Sequence, residues 1–115
     1  MAYPVTHFEI IGTDAAALQT FYRDTFDWTI DANNPVNYGM VAAAEGGISG
    51  GVGPSMDGKP TINFYIEVPD LAAALKDVEA HGGKTVMPPM DVPGGPSIAM
   101  FNDPEGNRIG LVKGM

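Results

Sequence analysis

His7 and Glu9 stand two residues apart near the start of a 115-residue chain that holds only two histidines. In an extended strand such a pair shares one face. Their Cα atoms are then about 7 Å apart at roughly 3.3 Å of rise per residue. An imidazole is the side chain that most readily gains or loses a proton near neutrality, so His7 is the candidate general base; a hydrogen-bonded wall residue is its plainer role. Asn63, Tyr65 and Glu67 form a second set at the same two-residue spacing. An isolated carboxylate is costly to bury. Glu9 and Glu67 must therefore meet water, pair with a cation such as Arg108, or accept a hydrogen bond from a ligand. Tyr65 offers a ring that can stack on a ligand or simply wall a site.

Other chemistries are excluded by composition. There is no cysteine, which removes disulfides, thiolate metal sites and cysteine nucleophiles and fits a reducing, cytoplasmic setting. The net charge of −8, from 14 acids against 6 bases, argues against nucleic acid and suits a neutral or cationic small ligand. No apolar run approaches membrane-spanning length, and "MAYPVTHFEI" lacks the basic-then-apolar pattern of a leader. "GGISGGVG" lacks the lysine of a phosphate-binding loop.

The elements that position these residues come in two copies. "VTHFEIIGTDAAALQ" (5–19) lies over "TINFYIEVPDLAAALK" (61–76), with His7 on Asn63 and Asp14 on Asp70. Each copy reads as a strand, a helix opened by that aspartate, and three further strands. Helices are expected over about 14–26 and 70–81. In the first, Leu18, Phe21, Tyr22 and Phe26 share one face, and Phe21 and Phe26 are expected to anchor it. Turn-forming "GPSMDGKPT" links the copies. The expectation is one α+β domain over 1–115, with a module over about 1–53, a linker over 54–60 and a second module over 61–115. "DPEGN" (103–107) makes a turn before "RIGLV", where Gly110 interrupts an apolar strand.

With this repeat, "THFEIIGTD…FYRDTFDW", "YIEVPDLAAALKDVEAHGGKTV" and "FNDPEGNRIGLV" resemble the vicinal oxygen chelate superfamily of glyoxalase I, the bleomycin-resistance proteins and the extradiol dioxygenases. The resemblance covers essentially the whole chain. It implies a curved eight-stranded mixed sheet with helices outside, a cavity on the concave face, and homodimers. In metal-dependent members, the first and last strands of each module supply four ligands to the cavity. Carried over, those places are His7, Gly50, Asn63 and Gly110. One imidazole and one amide do not make a catalytic metal site, which usually needs three ligands from His, Asp, Glu or Cys.

The function expected is therefore metal-free binding of a small molecule, through His7, Glu9, Asn63, Tyr65, Glu67 and Arg108. The alternative is a metal-dependent or His7-dependent lyase, isomerase or dioxygenase, so whether the chain is an enzyme stays open. No cofactor is expected.

Overall fold

Two aspartates open the two helices. Asp14 Oδ1 accepts the Ala17 N–H at 3.1 Å at the start of α1 (Ala15–Phe26), and Asp70 Oδ1 accepts the Ala73 N–H at 3.0 Å at the start of α2 (Leu71–Ala80). Each satisfies a donor that has no partner within the first helical turn.

The computed structural model describes residues 2–114 and sets each helix within a βαβββ module. Module one is β1 (Val5–Gly12), α1, β2 (Ile30–Asp31), β3 (Gly39–Val41) and β4 (Ser49–Pro54). Module two is β5 (Thr61–Val68), α2, β6 (Lys84–Asp91), β7 (Ser97–Asn102) and β8 (Arg108–Lys113). The strands run in the order β2-β3-β4-β1 in one module and β5-β8-β7-β6 in the other. In each, the first strand pairs in parallel with the last, and the remaining pairs are antiparallel. The expected α+β class with eight strands in a mixed arrangement is the one observed. The chain forms two compact units, His7–Asn63 and Phe64–Met115 with Met1–Thr6. No described helix is long and apolar enough to cross a membrane.

Each unit has its own core. In the first, Ile30, Val41 and Val52 are buried under Phe8, Ile10, Leu18, Tyr22 and Trp28, with the Tyr22 and Trp28 rings stacked at 4.9 Å. In the second, Val68, Leu71, Leu75, Ala99 and Leu111 are joined by Ile66, Ala74 and Phe101.

The anchoring of α1 differs from the sequence expectation. Phe21 and Phe26 are 53% and 58% exposed, and the helix buries Ala15 and Gln19 instead. The inward stripe is Ala15, Leu18, Gln19 and Tyr22, at three- and four-residue steps. Phe21 falls one position off that stripe. Phe26 closes the helix and rests on Tyr22 and Trp28 by one side only.

Candidate functional site

The first unit gathers two candidate side chains, His7 and Glu9, around one phenol. Tyr38 Oη lies 3.1 Å from His7 Nε2 and donates to Glu9 Oε2 at 3.0 Å. A hydroxyl carries one proton. With that proton on Glu9, the oxygen faces His7 Nε2 with its lone pairs. Burial pushes the His7 pKa below its ordinary value, and the Glu9 carboxylate opposes that shift. The shift favours the neutral ring.

The chain builds a seat for this phenol. The backbone N–H of Tyr38 donates to Asn34 Oδ1 at 2.9 Å, and Asn34 Nδ2 donates to the Tyr38 carbonyl at 2.6 Å. Asn37 holds a left-handed φ of 56°, which asparagine tolerates better than most residues. Gln19, buried beneath, donates from Nε2 to the Asn37 carbonyl at 3.1 Å and to the Val52 carbonyl at 2.8 Å. The floor is glycine. A Cβ on Gly51 would stand 1.7 Å from Tyr38 Oη, and one on Gly53 would stand 2.5 Å from its Cδ1. Two glycines at i and i+2 share a strand face, and here the tyrosine ring lies across both.

This register corrects the place assigned to Gly50. The parallel pairing of β1 with β4 sets His7 beside Ser49, Phe8 beside Gly50 and Glu9 beside Gly51. A Cβ on Gly50 would meet the Phe8 ring at 2.3 Å, on the face that packs against α1. Gly51 is the glycine on the His7 face. The turn glycines Gly46 and Gly106, both with positive φ, show why. Gly51 lies five residues after Gly46, whereas Gly110 lies four after Gly106. One extra residue reverses every side chain of a strand.

In the second unit, Gly110 pairs with Tyr65, and a Cβ there would meet the Tyr65 ring at 2.4 Å. A side chain at 110 would thus strike a buried aromatic. Glu67 is half-buried, its backbone N–H donating to the Pro4 carbonyl at 2.8 Å. Glu67 pairs with Val112, four residues along β8 from Arg108. That is about 13 Å of strand, and Arg108 is exposed, so the register does not bring these two together as an ion pair. Asn63 is buried and belongs to the first unit.

Tyr38 was missed by sequence reasoning. Its signal was the Gly-x-Gly of "SGGVGP", which clears one face of β4, together with the asparagine-rich turn "NNPVNYG" that ends in the tyrosine.

The donor set does not fit a catalytic divalent ion. Among the described residues, no three His, Cys, Asp or Glu side chains come together as ligands. In the first unit the pair His7 and Glu9 is bridged by a phenol, and the last strand contributes glycine.

A model of the Glyoxalase/Bleomycin resistance protein/Dioxygenase superfamily matches residues 5–111. The chain belongs to that superfamily. This superfamily member is 32% identical to a glyoxylase-like domain-containing protein of Didymella fabae, over 90% of this chain and 88% of that protein. It is also 32% identical to the anthracycline biosynthesis protein DnrV of Streptomyces peucetius, over 86% of this chain but only 42% of that protein. The chain thus spans less than half the length of DnrV. Methylmalonyl-CoA epimerase from Mycobacterium tuberculosis shares the fold at a TM-score of 0.70 and 17% identity, over 96% of this chain and 87% of that one. A methylmalonyl-CoA epimerase solved with methylmalonyl-CoA and NH4+ shares it at 0.65 and 16%, over 98% and 95%. Likeness at that identity shows the fold alone.

Proposed function

We propose that this protein binds a neutral or cationic small organic molecule through the His7–Tyr38–Glu9 cluster, without a resident divalent metal. The observation that carries the reading is the Tyr38 ring lying over Gly51, where a last-strand side chain would otherwise reach toward His7. Glu9 supplies a carboxylate to a donor-bearing ligand, and the net charge of −8 favours cationic over polyanionic molecules. Asn63, in the same unit, remains part of this proposal as a contributor to binding. The likeness to an anthracycline biosynthesis protein makes a flat aromatic ligand the first class to try. A homodimer and a cytoplasmic setting belong to the same reading. They are supported by the family resemblance and the cysteine-free composition, and light scattering tests the dimer.

The experiment is thermal melting and calorimetric titration of the whole chain against an anthracycline, a neutral aromatic polyketide and a CoA thioester. The expected result is saturable binding of an aromatic probe, weakened at least tenfold in Glu9→Gln, with no binding of the thioester. Thioester binding that Glu9→Gln leaves unchanged contradicts it.

A further inference from the structure

We infer that Met40 is a specificity-determining residue of the first unit's site, giving it an apolar platform, edged by the Asp31 carboxylate, for a planar aromatic molecule that carries an amine. The inference rests on the reading that this face binds a small organic molecule, and it deepens that reading by naming the ligand's shape and charge.

Direct partners on neighbouring strands project to the same face of a sheet. The pairs Asp31–Met40, Met40–Gly51 and Gly51–Glu9 therefore form one row across β2, β3, β4 and β1, on the face that carries His7. The opposite face carries Phe8, Ile30, Val41 and Val52, which pack with Leu18 and Tyr22 of α1. Met40 is the central residue of β3, yet it is turned away from that core and is 52% exposed. A single exposed apolar side chain needs no explanation. Met40, however, shares its face with the Tyr38 ring, which lies across Gly51 and Gly53. A thioether and an aromatic ring over a glycine floor make a flat apolar surface. Methionine sulfur makes favourable contacts with aromatic rings and adapts to their outline.

Charge selects further. Asp31 stands about 5 Å from Met40, one strand spacing. It is exposed, with Oδ1 accepting the Asn33 N–H at 2.9 Å. The row thus holds carboxylates at both ends and no base, and Arg23 is turned to the Ile30 carbonyl at 2.7 Å. A cationic group on a ring system resting on Met40 is attracted to the Asp31 edge.

Methyl NMR of methionine-labelled protein, with calorimetry, tests this against an anthracycline bearing an amino sugar and against its neutral, sugar-free aglycone. Both probes should move the Met40 methyl resonance by ring current and leave that of Met56, exposed in the linker, in place. Met40→Gln should weaken both probes about tenfold. Asp31→Asn should weaken the amine-bearing probe about threefold and spare the aglycone. Saturable binding with the Met40 resonance unmoved, or with Met40→Gln as tight as wild type, overturns the inference and leaves the binding reading standing. Equal weakening of both probes by Asp31→Asn overturns the role given to Asp31. Absence of any aromatic binding overturns the inference and the reading together. The resonance is read on wild-type protein, so it decides even where a variant fails to fold.

Discussion

Both units lay a tyrosine over a last-strand glycine, but they do it from opposite directions. In the second unit Tyr65 comes from the first strand itself, is 6% exposed, and a Cβ on Gly110 would strike the ring near its root, at Cδ2, Cε2 and Cγ. In the first unit Tyr38 comes from a loop, and a Cβ on Gly51 would strike the far end of the ring, at Oη, Cζ and Cε2. The place that Tyr65 fills in the second unit is held in the first by Glu9, which accepts a hydrogen bond from the incoming tyrosine. A strand residue is fixed by its neighbours and serves packing. A loop residue can be re-aimed, and here it reaches a histidine 31 positions away in sequence. The same pairing of residue types thus packs a strand in one unit and ties a loop to a histidine in the other.

The difference sets the order of the expected effects. Gly110→Ala should be the most damaging, because the Tyr65 ring is buried and would be struck near its root; overpacking of this kind costs about 1–3 kcal/mol. Urea denaturation measures it, and an unchanged midpoint would show that the second unit yields as readily as the first. Gly51→Ala should cost less, about 1 kcal/mol or under, because the tip of Tyr38 can swing aside and leave its strand intact. A loss equal to that of Gly110→Ala would erase the distinction between the units.

Mild acid should act on the first unit's cluster through His7. The His7 pKa is lowered in the folded protein, so the unfolded chain binds its proton more readily. That contribution to stability is complete above the unfolded value of 6.5 and is lost as pH falls from there toward the folded value. Melting curves between pH 7 and pH 5 should fall more steeply for wild type than for His7→Gln. Parallel slopes would mean that His7 is not held away from its ordinary titration.

Much of the architecture was legible because it rests on local signals. Asp14 and Asp70 cap their helices through side-chain oxygens within three residues, and the repeat placed both. The strand Ser97–Asn102 lies where the pattern set it, between turns rich in proline and glycine. What was not legible depended on register and on distance along the chain. One extra residue after Gly46 moved the informative glycine from 50 to 51, and spacing in sequence does not say which strand carries the insertion. The Tyr38–His7 hydrogen bond closes a long loop, and a tyrosine two residues after a valine in a turn carries no sign of its partner. Phe21 was misread because helical spacing fixes a stripe only to within one position, and the stripe that faces the strands runs through Gln19. His7 and Glu9 were placed on one face by type and parity alone, the two properties that a single strand encodes.

The account turns on Tyr38 standing where a metal ligand from the last strand would reach. Equilibrium dialysis of the wild-type protein against Zn²⁺, Ni²⁺ and Mn²⁺, followed by elemental analysis, tests that most directly. The prediction is no stoichiometric ion and no rise in melting temperature. A bound ion would instead stabilise the fold by about 2.7 kcal/mol once free metal reached a hundred times its dissociation constant. One tightly held ion per chain, released by a chelator and lost in His7→Gln, would contradict the account.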